Sequence, residues 1–97
     1  MTDLEITKKC AEQMGKTICC EQEKYCHTEE DGCYYPLDND EQAMALVKKF
    51  MLRVNYGDEI SELWEVSDKK GDHETISPDF NRAICECVAK MRETVDV

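Results

Sequence analysis

Apolar residues recur every three or four positions in three segments of the chain, a spacing that is typical of helices with one buried face. In the first segment, Thr2 and Glu5 have the spacing of a capping box, and Gly15 favours the end of a helix. The apolar positions between these signals are Leu4, Thr7, Ala11 and Met14. We therefore predict a short helix at the start of the chain.

The second and third helical segments also have end signals. The segment DNDEQAMALVKKFML begins with Asp38 or Asn39 as its N-cap, and it has acids in its first turn and lysines in its last. In the last segment, Ser77 is the predicted N-cap and Pro78 the first helical residue. The predicted core face is Ala43, Met44, Val47, Phe50 and Met51 in the second helix, and Phe80, Ala83, Ile84, Cys87, Val88, Met91 and Val95 in the third. Cys85 lies off that face, and we expect it to be exposed or to contact another layer.

The segments between the helices have the composition of short strands. Residues favourable to strands run from Lys16 to His27, the motif TEEDG predicts a turn, and CYYPL predicts the second strand of a hairpin that ends at Pro36. Further along, MLRVNY, ELWEVSD and HETIS predict an antiparallel meander with turns at GDE and KKGD. This order predicts an α+β fold, in which one antiparallel β-sheet is layered with α-helices.

Length and charge limit the possible functions. With 97 residues, the chain is expected to form a single small domain over residues 1–97. Its formal net charge of -10 repels phosphate backbones, so we expect no direct binding of nucleic acid. The acids are dispersed, which is typical of a solvated surface or of a surface that meets a basic partner. The start MTDLEITKKC resembles no signal peptide and no apolar run spans a bilayer, so we expect a cytoplasmic protein without membrane contact.

The stretch ICCEQEKYCHTEEDGCYYPLD contains four of the seven cysteines and one of the two histidines. One hypothesis is a small zinc-stabilised module with Cys20, Cys26, His27 and Cys33 as ligands, although the spacing departs from the close C-x2-C pairs of structural zinc sites. A second is that Cys19, Cys26 and Cys33 are buried as small hydrophobic residues. Because the cysteine count is odd and no export signal is present, we expect reduced thiols.

Catalytic signatures are lacking in the sequence. The only histidines, His27 and His73, lie among acids in predicted turns or strand edges, and we expect both to be solvated surface residues. The chain is therefore predicted not to be an enzyme, with a hydrolase or transferase that works through a cysteine as the remaining alternative. Four aromatic residues either mark an interface or fill the gap between helices and sheet: Tyr34, Tyr35, Tyr56 and Trp64. An open sheet edge would also allow a homodimer to form by strand pairing.

Two motifs carry a resemblance to a known family. The run YYPLDNDEQAMALVKKFML, together with FNRAICECVAKM in the last helix, resembles the small, functionally uncharacterised phage and prophage proteins of the phage ABA-sandwich domain. The resemblance covers about residues 34–95. It implies a sheet layered between helices in an α/β/α sandwich, an origin in a phage or prophage, and residence in the bacterial host cytoplasm. It implies no catalytic residues.

These observations lead to one main functional hypothesis. The chain is expected to be a non-enzymatic phage or prophage accessory protein that binds a host or phage protein. A specific form of this hypothesis is an acidic mimic of nucleic acid that inhibits a basic host protein. The zinc-stabilised module is the alternative from a different class, and it would require zinc as a structural cofactor.

Overall fold

A computed structural model describes residues 2–56, 63–69, 71 and 73–95 of the chain. These residues form three helices and six strands, which confirms the predicted α+β class. In chain order the elements are α1 (Asp3–Gln13), β1 (Ile18–Glu21), β2 (Cys26–Thr28), β3 (Gly32–Tyr34), α2 (Asp40–Phe50), β4 (Arg53–Tyr56), β5 (Trp64–Ser67), β6 (Glu74–Ser77) and α3 (Phe80–Val95).

The strands form two antiparallel sheets, where the sequence had predicted one. The first sheet has the order β1-β2-β3 and the second has the order β4-β5-β6. Each sheet pairs strands that follow one another in the chain, so every pairing joins segments close in sequence and costs little loop entropy. Helix α2 separates the two groups in sequence. The prediction of a single layered sheet was wrong in this respect.

The first sheet has one more strand than the predicted hairpin. The expected strand from Lys16 to His27 is interrupted by a turn, in which the backbone N–H of Gln22 donates to the carbonyl of Tyr25 at 2.8 Å. This turn converts one long strand into β1 and β2. Strand β3 ends at Tyr34, and a turn through Pro36 then leads to α2.

The second sheet packs one face against α3. Val66 and Thr75 lie on this face and are buried, and the Thr75 hydroxyl donates to the carbonyl of Ala83 in the helix. The opposite face is exposed and consists of Arg53, Asn55, Glu65, Glu74 and Ile76. This sheet therefore forms a two-layer arrangement with α3. The predicted GDE turn, and part of the KKGD turn, lie outside the described residues.

Helix α2 begins as the sequence predicted but differs in its core face. Asn39 is the N-cap, and its side chain accepts a hydrogen bond from the backbone N–H of Gln42. Leu46 is fully buried, whereas Met44 and Met51 are 38% and 62% exposed. Met51 lies at the C-cap with a φ of 54°, in the left-handed region, so the chain turns away before its side chain reaches the core. The two methionines were thus assigned to the core face wrongly.

Helix α3 lies at the centre of the molecule. It is capped by Asp79, whose carboxylate accepts from the backbone N–H of Arg82 at 3.2 Å, and not by Ser77, which ends β6. Cys85 is fully buried against α1, where its carbonyl accepts a hydrogen bond from the Cys10 thiol at 3.5 Å. Of the two expectations for Cys85, contact with another layer is therefore correct.

One hydrophobic core joins the three helices and both sheets. It includes Ile6 and Cys10 from α1, Tyr34 from the first sheet, Leu46 from α2 and Val66 from the second sheet. These residues pack around the buried positions of α3. Within the described residues, no helix has both the length and the apolar character needed to cross a membrane.

Candidate functional site

Three of the four predicted zinc ligands lie in one row across the first sheet. Cys20 is opposite His27, and His27 is opposite Cys33. Directly opposed residues of an antiparallel sheet share a face, with Cβ atoms about 5 Å apart. Cys26 precedes His27 in the strand, so it points to the other face, where it is fully buried. The structure therefore brings three of the four residues together and separates Cys26 from them.

The alignment of Cys20, His27 and Cys33 does not form a metal-binding group among the described residues. Among them, no group of three or more histidine, cysteine, aspartate or glutamate side chains is placed to hold a metal ion. The amide of Gln22 contacts the Cys20 sulfur at 3.9 Å, and the imidazole of His27 stacks on a tyrosine ring. Two of the three aligned side chains thus already have other neighbours.

Aromatic rings occupy the same side of the first sheet as this row. The rings of Tyr25 and His27 stack with centroids 5.7 Å apart and planes inclined by 25°. The rings of Tyr25 and Tyr35 lie 5.8 Å apart. Cys20 and Cys33 are exposed, and the three rings are half-buried. We call the surface formed by Cys20, Tyr25, His27, Cys33 and Tyr35 the tyrosine–thiol face.

Gln42 attaches this face to α2. Its side-chain carbonyl accepts from the backbone N–H of Tyr35 at 2.7 Å, and its amide donates to the carbonyl of Cys33 at 3.0 Å. The bond to Tyr35 falls just after β3 has ended, and the bond to Cys33 falls within β3. The backbone that carries Cys33 and Tyr35 is therefore held by the helix as well as by β2.

Tyr34 points to the opposite side of β3 and belongs to the core. It is only 1% exposed, so its prediction as an interface residue was wrong. Its hydroxyl has no hydrogen-bond partner among the described residues. Burial, together with the nearby thiols of Cys10 and Cys85, raises the pKa of this phenol. The alternation of side chains along a strand explains why Tyr34 and Tyr35 differ.

The aromatic residues of the second sheet form a separate cluster. Trp64 lies between Tyr56 and Phe80, with ring centroids 4.7 Å and 4.6 Å away. Trp64 packs against the hydrophobic core, which matches the expectation that it fills the gap between helix and sheet. Tyr56 is 53% exposed and remains an interface candidate at the end of β4.

Acidic residues border the tyrosine–thiol face. Glu23 lies in the turn between β1 and β2, and Glu29 and Glu30 lie in the turn between β2 and β3. All three side chains are exposed, and no lysine or arginine in the described part of the chain pairs with them. The negative charge of the face therefore lies mainly at the β2–β3 turn, because Glu23 has the exposed Lys24 beside it in the β1–β2 turn.

The thiols of the chain are poor nucleophiles wherever a pKa shift is resolved. Desolvation and the carboxylates of Glu29 and Glu30 raise the pKa of Cys19. Burial raises the pKa of Cys26, and raises that of Cys87 to about 11. A catalytic cysteine requires the opposite shift, because the thiolate is the reactive form.

A histidine–aspartate pair in the β5–β6 connection was not predicted from the sequence. The ring of His73 contacts the carboxylate of Asp68 at 2.7 Å, and both side chains are largely buried. His73 is therefore not the solvated residue that we expected. The Cys87 thiol donates to the backbone carbonyl of His73 at 3.7 Å, so the imidazole is not placed to activate it. The sequence signal was an aspartate and a histidine on either side of a glycine turn.

A cavity of about 250 Å³ lies between α1, β3 and the start of α2. The Lys16 ammonium pairs with the Asp31 carboxylate inside it, and it lies 5.5 Å from the centroid of the Tyr34 ring. Glu41 and Gln42 line the opposite side. The cationic group of the cavity is thus already neutralised by a carboxylate.

We compared the chain with protein-family models, with curated proteins and with solved structures. None of the three comparisons found a match. The functional argument consequently depends on the residues and surfaces of this chain.

Proposed function

We propose that this chain is a non-enzymatic phage or prophage accessory protein that acts by binding a host or phage protein in the bacterial cytoplasm. The phage character of the proposal is supported by the sequence resemblance over the second helix and the last helix. The binding role is supported by one structural observation, which is the tyrosine–thiol face.

The tyrosine–thiol face has the composition of a binding surface. Tyrosine rings combine a large apolar area with a polar group and lose little conformational entropy on binding, so they are enriched at interfaces. Here, Tyr25 and Tyr35 are already ordered by ring contacts with each other and with His27. A partner that covers them would bury apolar area without having to immobilise the side chains first.

The position of the face in the fold also favours a partner. The inner side of the first sheet packs on α1, and Cys26 and Thr28 are buried there. On the outer side, Cys20 and Cys33 are exposed. Free thiols and half-buried tyrosines on one sheet face are more easily explained by a docking role than by solubility, because charged side chains serve solubility better.

The thiol environment supports a role without catalysis. Raised pKa values keep Cys26 and Cys87 protonated at neutral pH. This protonation favours a binding role over that of a cysteine hydrolase or transferase, in which a base activates the thiol.

Affinity capture with surface variants tests the proposed function. Tagged wild-type protein and the variants Tyr25→Ser/Tyr35→Ser and Cys33→Arg are exposed to bacterial lysate at low and moderate salt, and retained proteins are identified by mass. We expect the same protein to be retained by the wild type at both salts and lost with both variants. Circular dichroism checks that each variant is folded, and Cys33→Arg is at an exposed position where folding should be unaffected.

The matched control is Ile76→Ser, which removes a 54% exposed apolar residue from the outer face of the second sheet. It should retain the partner as the wild type does. Capture that is equal for wild type and both face variants would exclude the tyrosine–thiol face as the binding surface. Capture only at low salt would indicate attraction by net charge alone.

A further inference from the structure

We infer that the tyrosine–thiol face binds a cationic segment of its partner, with arginine or lysine side chains over the tyrosine rings and against the surrounding carboxylates. The inference rests on the proposed function and specifies the chemistry of the partner. It is supported by the charge around the face, by the geometry of the rings and by a similar contact inside the molecule itself.

The charge around the face selects a basic partner. Residues 18–34 contain five acids and one lysine. Two of the acids, Glu21 and Asp31, already pair with Lys8 and Lys16 from outside this segment. Of the three remaining carboxylates, that of Glu23 lies beside the exposed Lys24 in the β1–β2 turn, close to the rings, and those of Glu29 and Glu30 follow β2 at its other end. A segment that lies along β2 would therefore meet aromatic rings at one end and two carboxylates at the other.

The rings are suited to cations. A guanidinium or ammonium group gains free energy within about 6 Å of a tyrosine ring centroid. Tyr25 and Tyr35 have ring planes inclined by 39°, so they form a shallow angle and not a closed stack. Cation–π contacts are stronger when a carboxylate nearby stabilises the same charge. The carboxylates near Tyr35 are those of Asp3 and Asp38, whereas Glu29 and Glu30 lie at the other end of β2.

The molecule contains an internal example of this arrangement. The Lys16 ammonium lies 5.5 Å from the centroid of the Tyr34 ring and pairs with the Asp31 carboxylate. Tyr34 is on the inner side of the same sheet, directly beside the residues of the outer face. A lysine, a tyrosine ring and a carboxylate are thus combined within this chain.

Two other occupants are disfavoured by charge. A second copy of this chain would bring its own acidic turns against those of the first, and each copy has a formal charge of -10. Nucleic acid would place phosphates against the same carboxylates. A basic protein segment is the occupant whose charge complements the face.

Titration with synthetic peptides tests the inference on the intact chain. The probes are acetyl-GRGRGRG-amide, its lysine counterpart and a glutamine counterpart of equal length, and binding is followed by chemical-shift changes of the backbone amides. We expect the arginine and lysine peptides to shift amides of β2, β3 and the two turns, and the glutamine peptide to leave them unchanged. Raising the salt concentration should weaken binding.

Variants separate recognition from general attraction. We expect Tyr25→Leu, and separately Glu29→Gln/Glu30→Gln, to weaken arginine-peptide binding at least five-fold. The matched control Glu65→Gln removes an exposed acid from the second sheet and should leave the affinity unchanged. An equal loss in all three variants, or no loss in Tyr25→Leu, would overturn the inference in favour of attraction by net charge.

Failure of the cationic-segment inference can be distinguished from failure of the proposed binding function. If the peptides do not bind but capture from lysate still depends on Tyr25 and Tyr35, the face binds a partner and the inference of a cationic segment is wrong. Sedimentation of the free chain provides a further check. A dimer that Cys33→Arg dissociates would show that the occupant is a second copy, and would also overturn the inference.

Discussion

Adjacent residues at the end of β3 have opposite environments. Tyr34 and Tyr35 follow one another in sequence, yet Tyr34 is buried in the core and Tyr35 contributes to the tyrosine–thiol face. Cys26 and His27 differ in the same way in β2. At the residue scale, the position of a side chain relative to the pleat decides whether it lies in the core or on the outer face of the sheet.

The phenol of Tyr34 should contribute little to stability through its hydroxyl. Folding removes this hydroxyl from water, and no described residue accepts or donates a hydrogen bond to it. We expect Tyr34→Phe to leave the free energy of unfolding unchanged or to raise it by up to about 1 kcal/mol, because the desolvation cost is removed. Urea denaturation at pH 7 measures this change.

The control for this prediction is Tyr34→Leu, which removes the ring. It should lower the free energy of unfolding by about 2–4 kcal/mol, since the ring fills the core and contacts Lys16. A loss of more than 1 kcal/mol in Tyr34→Phe would mean that the hydroxyl does have a partner, such as an internal water.

At the scale of elements, the connection between β3 and α2 organises the candidate site. Pro36 is buried in this connection, and Asn39 caps the helix. Gln42 then reaches back from the first turn of α2 to the backbone of Cys33 and Tyr35. The start of one helix thus holds the end of a strand, and with it the edge of the tyrosine–thiol face.

Removing the Gln42 side chain should loosen this connection. We expect Gln42→Ala to lower the free energy of unfolding by about 1–2 kcal/mol, because two hydrogen bonds to the backbone are lost. The Tyr35 amide should also exchange with solvent at least five-fold faster in hydrogen-exchange measurements. The control Glu41→Gln changes the neighbouring position of the same helix turn and should leave this exchange rate unchanged. Equal protection of the Tyr35 amide in Gln42→Ala would contradict the assignment.

The whole molecule is organised around α3 and its buried thiols. Cys85 and Cys87 are fully buried on this helix, and Cys10 and Cys26 contact the same core from α1 and the first sheet. Burial raises the pKa of Cys26 and Cys87, and a side-chain hydrogen bond with Cys10, together with burial, raises that of Cys85. These three thiols are therefore held in their protonated form at neutral pH.

These raised pKa values predict a loss of stability in alkaline solution. An unfolded cysteine loses its proton near pH 9, whereas Cys87 in the folded protein does so at about 11. Stability from this group is complete below about pH 9 and is lost as the pH rises towards 11, because only the unfolded chain releases the proton. Urea midpoints at pH 8, 9 and 10 should fall progressively. Cys87→Ala should reduce the fall of the urea midpoint with pH. The control Cys33→Ser, at an exposed position, should show the same fall as the wild type.

Some helix ends were predicted correctly from the sequence, whereas one helix cap and one strand break were not. The ends of α1 and α2 depend on contacts within four residues, such as Thr2 with Glu5 and Asn39 with Gln42, and both were predicted correctly. The cap of α3 was misassigned because Ser77 and Asp79 are both suitable, and the pairing of Ser77 in β6 decided between them. The break between β1 and β2 was missed because the residues of the turn have no strong turn signal.

The sequence by itself determined the class of the fold, the three helices and the location of most strands, because caps, periodicity and turns act over a few residues. The tertiary structure decided which sheet each strand joined, which side of β2 and β3 faced the core, and which cysteines were buried. Those outcomes depend on contacts between segments far apart in the chain, such as Cys10 with Cys85 and Asp3 with Arg82. The tyrosine–thiol face emerged only when the register of the first sheet aligned Cys20, His27 and Cys33.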